Sequence, residues 1–562
     1  MDPLWLRQYP AGMPAQVRTD THPSLVALLE HSFAQHRGRT AFTCMGRSLG
    51  YDQLDELSRA LAAWLQAHGL ARGDRVALLL PNVLPLPVAV LGVLRAGGVV
   101  VNLNPELPLP ELQHRLRDSG ARVCIAIETA AATLQAALED DTVHVRTVLV
   151  VALGDLLGHL KGALVNHWLR RVKRAVPTWQ IRGAVSFASA LDQGRSGAFK
   201  PVALGPEDLA ALQYTGGTTG PSRGAVLLHR NLVANVLQAQ AWNAPALRAL
   251  PAGETLVQVG ALPLHHIYGF TLVLLLGLHL GGCTLLIPNP QDTAGMLKVL
   301  ARQRVHCFAG VNALFQQVAQ HEDADRVDWS GLRLAVGGAT AVDGCTALLW
   351  LLKTGVPICQ GYGLSEAGPA VTCNPVDATE FSPHLGLPLP GTDVQLIDDE
   401  GRPVAAGQPG EIAVRGPQVM AGYWQRPDDT ARAMTADGYL RTGDIGVLGE
   451  DGGLRLVDRK KDLIFVSGFN VYPNEIETVV AQMPGVEACA AVAMHDDKAG
   501  EAVKLILVKT DPGSAVPSEA DVRAHCAEHL AGYKRPKVVE FRPELPTTAV
   551  GKVLRRELRD TL

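Results

Sequence analysis

Apolar side chains at Leu54, Leu57, Leu61, Trp64 and Leu65 keep the three-and-four spacing of one helix face over residues 52–69, and residues 75–80 follow as a short apolar strand. The alternation then recurs, predicting a helix over 87–95, a strand over 99–102, a helix over 111–119 and a strand over 122–127. Such strands lack polar alternation because helices cover both faces, so the pattern predicts α/β layers with largely parallel sheets. The most apolar run, 270–287, is interrupted by Gly277, His279, Gly281 and Gly282 and reads as a buried helix followed by a strand, not as a membrane span. From about residue 385 Gly, Pro and Asp turns crowd together and the strands shorten (394–397, 411–415, 454–457), which predicts a β-rich subdomain. Beyond residues 458–462 the chain starts again with a strand, a helix over 474–482, strands over 488–493 and 503–508 and a helix over 519–530. The expected architecture is therefore α/β: a large N-terminal domain over 1–460, and a small α+β domain over 461–562, within the usual size range of domains. No internal repeat of fixed period is visible.

Composition narrows the function classes. At 562 residues the chain exceeds a single compact core, and its 47% hydrophobic and 19% charged content is that of a globular protein. A net charge of −4 gives no general attraction for nucleic acid, so anion binding has to be local. The nine cysteines form no C-x-x-C pair and no metal-like spacing with histidine, which predicts a reduced, cytoplasmic setting. The amino terminus shows no basic stretch followed by an apolar segment, so no signal peptide is expected. One local departure is residues 161–182, with six basic residues, no acid, Trp168 and Trp179. That segment reads either as a patch for an anionic membrane surface or as a basic helix on the protein surface.

The chemistry is concentrated in a loop. Residues 214–224, Tyr-Thr-Gly-Gly-Thr-Thr-Gly-Pro-Ser-Arg-Gly, carry four glycines, four aliphatic hydroxyls and one cation between an apolar lead-in and an expected helix. Gly216, Gly217 and Gly220 allow backbone to approach an anion closely, and Thr215, Thr218, Thr219 and Ser222 can donate to phosphate oxygens. Arg223 adds a guanidinium fork. The spacing is neither G-x-x-x-x-G-K-[ST] nor G-x-G-x-x-G, and a plain surface loop is the alternative. Five more segments follow. Gly337-Gly338-Ala339 ends an apolar strand. Residues 360–366 offer the Tyr362 ring, the Ser365 hydroxyl and the Glu366 carboxylate, with Gly361 and Gly363 between. Thr442-Gly443-Asp444 reads as a turn presenting an acid. The charged run 458–462, which reads as a solvated face, leads to Ser467-Gly468-Phe469, and residues 547–552 set Lys552 on a turn.

In this order the six segments resemble the adenylate-forming superfamily of acyl-CoA synthetases, luciferases and peptide-synthetase adenylation domains, from about Ser24 to the end of the chain. Residues 261–268 (Ala-Leu-Pro-Leu-His-His-Ile-Tyr), 416–424 (Gly-Pro-Gln-Val-Met-Ala-Gly-Tyr-Trp) and 458–477 are most similar to bacterial long-chain fatty acid–CoA ligases. The resemblance implies ATP, Mg2+ and coenzyme A, with a fatty acid adenylated first and transferred to the CoA thiol second. It implies that the loop residues hold the β- and γ-phosphates, that Glu366 holds magnesium, and that Tyr362 stacks on adenine beside Gly338 and Ala339. Gly337, Gly361, Gly363 and Ser365 complete the nucleotide pocket; Asp444 takes the ribose hydroxyls, and Arg459 the ribose or α-phosphate. Lys552 is the implied catalytic cation, beside Thr218, Glu366 and Arg459. Lys461 is the implied hinge of a mobile C-terminal domain, and Gly468 clears the pantetheine path. His266 matches a residue of the acid channel, with a core histidine as the even alternative. Arg223 and Ser365 depart from the commoner Lys and Thr. The same resemblance leaves medium-chain or aryl acids, transfer to a carrier protein, and a fatty acid-responsive binding protein as alternatives. It also implies a homodimer, in the cytoplasm or peripheral on the inner face of the membrane.

Overall fold

The computed structural model describes residues 4–215, 222–248, 250–251, 253–405, 407–449, 452–466, 469–496, 499–510, 517–548 and 553–559. Gly216, Gly217, Thr218, Thr219, Gly220, Gly468 and Lys552 lie outside these described residues.

Two large sheets form the N-terminal part. The first has eight strands in the order Gly422–Tyr423, Arg223–Leu228, Leu209–Thr215, Val99–Leu103, Arg75–Leu79, Val123–Ile127, Thr147–Val151 and Val185–Ser186. Its centre is parallel, with Val76 between Val100 and Val123, and the strands Val99–Leu103 and Val123–Ile127 are buried at every position. That two-sided burial is why their sequences are unbroken apolar runs. Helices Tyr51–Ala67 and Pro85–Arg95 pack together through Gly92, where an added Cβ would lie 2.7 Å from the fully buried Leu61 side chain.

The second sheet runs Leu387–Pro388, Ala370–Cys373, Ile358–Gly363, Leu334–Gly337, Cys307–Gly310, Val257–Gly260, Cys283–Leu286, Thr40–Cys44 and Arg47–Gly50. Strands from Ile358–Gly363 through Thr40–Cys44 are parallel, and antiparallel pairs close both edges. One continuous core joins residues of both sheets and their shared helices, including Leu61, Val100, Phe270 and Leu286. The apolar run after His266 resolves into a wide-turned π-helix, Tyr268–Leu275, then Leu276–His279 and the strand Cys283–Leu286. Among the described residues no helix is long and apolar enough to cross a membrane.

Two local readings of the sequence are corrected. The glycine-rich loop is followed by a strand, Arg223–Leu228, antiparallel to Leu209–Thr215 with Thr215 opposite Arg223; the helix His229–Leu247 comes only afterwards. The five-residue run 224–228, abutting a helix, carries no periodicity that tells strand from helix. Thr442-Gly443-Asp444 is not a terminal turn: it lies inside the strand Leu440–Leu448. There Glu411 faces Ile445 but Ala413 faces Arg441, so three residues oppose one in a bulge. Gly443, at φ +73°, supplies the left-handed backbone that the bulge requires.

The β-rich part is an antiparallel sheet of Asp393–Ile397, Gly410–Arg415, Leu440–Leu448 and Leu454–Arg459. The C-terminal α+β unit has a five-stranded sheet in which Gly500–Lys509 pairs antiparallel with Val486–Asp496 and parallel with Val538–Arg542. The helix Pro473–Val480 begins on its proline and buries Ile476 and Val480 against Ile464 and Leu505.

Candidate active site

The carboxyl ends of strands from both large sheets, together with the β-rich sheet and the C-terminal unit, surround a cavity of about 2300 Å³. This is where open parallel sheets place ligands, because backbone and loop groups converge there without needing to pair with a neighbouring strand. Every described residue that the sequence singles out as a site candidate lines this cavity, from Thr215, Ser222 and Arg223 to Asp444, Arg459 and Lys461.

At one end an aromatic ring and an acid are tied together. Tyr362 Oη donates to Asp444 Oδ2 at 2.8 Å, and Arg459 Nε lies 3.4 Å from Asp444 Oδ1, across the rung on which Asp444 faces Arg459. Burial, with the Asp444 charge added to it, pushes the Tyr362 hydroxyl well above the ordinary phenol range, so it stays a donor. Each carboxylate oxygen of Asp444 retains a further acceptor site. Gly361 and Gly363 flank Tyr362 on its strand, and Ser365 and Glu366 form the short turn that follows. Gly338 abuts Tyr268, whose ring would lie 3.2 Å from an added Cβ and whose hydroxyl donates to the Val336 carbonyl at 2.9 Å. Gly337 serves packing as well: an added Cβ there would meet Val342 at 2.7 Å. Gly338 and Ala339 follow the strand Leu334–Gly337 into the cavity wall, Ala339 held at φ +67°.

At the other end stand the paired strand ends Thr215 and Arg223. Thr215 Oγ1 donates to the Arg223 carbonyl at 3.4 Å. His114 Nε2 donates to the Ser222 carbonyl at 2.9 Å, and Arg115 Nε to the Ser222 hydroxyl at 3.3 Å. The Arg223 guanidinium lies 5.0 Å from the centre of the Tyr423 ring and 3.6 Å from Asp429, and Tyr423 Oη donates to Glu366 Oε1 at 2.8 Å. Arg223 therefore braces the tyrosine that orients Glu366. His114, Arg115 and Tyr423 were not singled out as site residues from sequence. Tyr423 stood in a quoted motif without a role, and the two basic residues sit on the helix Leu109–Ser119 with no local signal.

A third arm is apolar. Leu272, Leu276 and Leu280, each four residues on from the last, present one face of the segment after His266, and Trp242, Leu247 and Leu256 line the same cavity. His266 lines it as well, and its Nδ1 accepts the Tyr268 N–H at 3.3 Å, which caps the start of that segment. The neighbouring His265 has a buried Nδ1 without a hydrogen-bond partner, and burial, then the charges of His266 and Arg115, bring its pKa down to about 3. It is a neutral, partly unsatisfied group in the cavity wall, beside the His266 that the sequence singles out instead.

The C-terminal unit closes the cavity through a charged joint. Burial, reinforced by Arg459, lowers the Lys461 pKa to about 8. Asp458, fully buried, accepts the N–H groups of Arg459 and Asn474 at 2.7 Å each, and burial outweighs those bonds to raise its pKa to about 6. Arg555 pairs with Glu477 at 2.7 Å and Asp462 at 3.4 Å. The run 458–462 is thus a packed joint and not a solvated face.

Among the described residues no group of three or more His, Cys, Asp or Glu is arranged to hold a metal. A lone carboxylate, Glu366, among hydroxyl donors fits a hard divalent ion that takes most of its ligands from phosphate and water.

Residues 29–424 match the family model described as AMP-binding enzyme, and residues 475–552 match that of the AMP-binding enzyme C-terminal domain. The chain is 47% identical over 561 residues to a long-chain-fatty-acid–CoA ligase of Escherichia coli O157:H7, covering 100% of this chain and 98% of that protein. It is 48% identical over 561 residues to the long-chain-fatty-acid–CoA ligase of Salmonella typhimurium (strain LT2), with coverage of 100% and 98%. The crystal structure of ATP-bound MatB from Rhodopseudomonas palustris aligns with a TM-score of 0.79 at 28% identity, covering 95% of this chain and 98% of that one. With the strand ends Thr215 and Arg223, a tyrosine–aspartate pair and a carboxylate turn converging on one cavity, and with both family models matched in order, the chain belongs to the AMP-binding, adenylate-forming enzyme family.

Proposed function

We propose that this protein is an ATP-dependent long-chain fatty acid–CoA ligase. The acid's carboxylate attacks the α-phosphorus of ATP and pyrophosphate leaves; the CoA thiol then attacks the acyl carbonyl of the acyl-AMP, and AMP leaves with the bond electrons. The observation that carries the substrate class is a single cavity in which the polar end around Tyr362, Asp444 and Glu366 continues into an arm walled by Leu272, Leu276 and Leu280. A carboxylate headgroup with a long apolar tail matches both ends, since each buried methylene contributes about 0.8 kcal/mol.

In this reading Asp444 and Tyr362 hold the nucleoside with Gly338, Ala339 and Arg459, and Thr215, Thr218, Thr219 and Ser222 hold the pyrophosphate side. Glu366 would hold magnesium, which would supply positive charge opposite the pyrophosphate. Lys552 bridges the carboxylate and the α-phosphate and reduces the repulsion between two anions. The 461–562 domain turns about Lys461 between the half-reactions, withdrawing Lys552 and bringing Gly468 to the thiol's path. The reading includes a role in lipid metabolism, a homodimer, and a cytoplasmic enzyme that meets the inner face of the membrane.

The test is pyrophosphate release over acids of graded length, with and without CoA, in the wild type and in Lys552→Ala. Release that depends on ATP and a long-chain acid, with thioester formed only when CoA is present, is the expected result. Lys552→Ala should lower acyl-AMP formation by about 100-fold or more while supplied acyl-AMP is still converted to thioester. A preference for short or aryl acids overturns the substrate class. Release without thioester formation indicates a carrier-protein ligase, and no acid-dependent release indicates a binding protein.

A further inference from the structure

The basic segment around residue 170 takes a specific shape. The helix His159–His167 runs directly into a π-helical turn, Trp168–Val172. Leu160, Leu164, Trp168 and Val172, every fourth residue, are 85%, 71%, 46% and 64% exposed. In an α-helix a four-residue step drifts by about 40° around the axis, and the wider π turn winds part of that drift back. The four side chains therefore form one stripe, and they are four of the eleven large apolar side chains exposed among the described residues.

The stripe is not the product of a loosely attached helix. On the opposite face Gly162 and Gly154 touch backbone to backbone: a Cβ on Gly154 would lie 2.3 Å from the Gly162 carbonyl oxygen. Asn166 Oδ1 accepts the Gly154 N–H at 2.8 Å, Leu169 is buried, and Arg170 pairs with the buried Glu128 at 2.7 Å. These contacts fix which face meets solvent.

Charge identifies what that face meets. Residues 156–191 contain six Lys or Arg and no Asp or Glu, in a chain whose net charge is −4. Arg171, Lys173 and Arg174 are exposed at the end of the stripe, and the Lys173 ammonium lies 5.0 Å from the centre of the Trp168 ring, while the Lys161 ammonium donates to the Met45 carbonyl. A second copy of the chain seated here would bring two such cationic segments together, which disfavours self-association. The helix is far too short to cross a bilayer. A short helix with an apolar stripe, an interfacial tryptophan and flanking cations suits the boundary between headgroups and acyl chains.

We propose that residues 159–174 are an interfacial anchor that lies in the plane of an anionic phospholipid surface, with Leu160, Leu164, Trp168 and Val172 in the acyl boundary and Arg171, Lys173 and Arg174 among the headgroups. None of these residues lines the large cavity, and vesicle binding needs no ATP, acid or CoA, so this inference and the ligase reading fail separately.

The test is flotation of the full-length protein with phosphatidylcholine vesicles, with and without phosphatidylglycerol, at low and high salt. The wild type should bind the anionic vesicles, and more weakly as salt rises. Leu160→Asp with Leu164→Asp should lower the partition constant about tenfold or more. Lys173→Glu with Arg174→Glu should lower binding to anionic vesicles about tenfold or more and abolish the salt dependence. All four positions are exposed, so the thermal midpoint should stay put and loss of fold is separable from loss of binding. Equal binding by wild type and both variants, or binding indifferent to headgroup charge and salt, overturns the proposal. So does an oligomer that the leucine variants dissociate, which would assign the stripe to a second copy.

Discussion

Asp444 and Asp458 sit on neighbouring antiparallel strands of one sheet, one rung apart: Asp444 opposite Arg459, Asp458 opposite Ile445. One rung reverses the side on which a strand residue stands, so the two carboxylates serve opposite faces. Asp444 lines the cavity, takes the Tyr362 hydroxyl and pairs with Arg459. Asp458 sees no solvent and takes two backbone N–H groups, one of them from the first turn of the helix Pro473–Val480. Same residue type, same sheet, two settings: one acid lines the cavity, the other ties the C-terminal unit to the sheet. The sheet is thereby both a wall of the cavity and the seat of the joint, so the joint's geometry is held next to the proposed site.

The largest effect that separates them belongs to Asp444→Ala. It removes the acceptor for a ribose diol and leaves Arg459 and the Tyr362 hydroxyl without their partner. The expected loss in kcat/KM for ATP is about 100- to 1000-fold, or about 3–4 kcal/mol, with little change in thermal midpoint. Pyrophosphate release at varied ATP measures it, and a loss below about threefold would mean that the nucleotide end does not use this acid.

Asp458→Asn should act on stability and on its pH dependence. The folded chain holds the Asp458 proton more tightly than the unfolded chain, whose carboxyl has the ordinary value of 3.8, against about 6 when folded. The stabilisation this gives is complete below pH 3.8 and is lost as pH rises through about 6. Relative to the asparagine variant, the wild type should therefore lose about 2–3 kcal/mol of stability over that window. Denaturant titrations of both proteins at pH 4 and pH 7 give the difference directly. A difference that does not change with pH would show that Asp458 keeps an ordinary pKa in the joint.

The same two acids mark how far the sequence could be read. Asp444 was legible because Thr442-Gly443-Asp444 stands in order among five other motifs, although the bulge that presents it was not. Asp458 was read as part of a solvated charged run, since nothing local announces that Asn474 and Arg555 cover it. The parallel strands were legible wherever both faces are buried, as in Val99–Leu103. Two stripes with the same four-residue spacing show the limit most plainly. Leu272, Leu276 and Leu280 turn into a cavity, whereas Leu160, Leu164, Trp168 and Val172 turn out to solvent. Spacing says which residues share a face, and only the surrounding fold says what that face meets. His114 and Arg115 were missed for a related reason: their contacts with Ser222 join residues more than a hundred positions apart.

The smallest and most discriminating change is Tyr362→Phe. It keeps the ring and removes only the hydroxyl that reaches Asp444 at 2.8 Å. Asp444 would still be held by Arg459, so the expected cost is about 1 kcal/mol, seen as about a fivefold rise in KM for ATP with kcat nearly unchanged. Tyr362→Ala removes the flat face as well and should cost about tenfold more, because base stacking on an aromatic ring is worth about 1–3 kcal/mol. If phenylalanine behaves like alanine, the hydroxyl bond to Asp444 is what the site needs from Tyr362, and the acid depends on it more than on Arg459. If phenylalanine behaves like the wild type, Arg459 alone positions Asp444. The rung that pairs them would then be the whole of what distinguishes the ligand-facing carboxylate from the one buried a single step away.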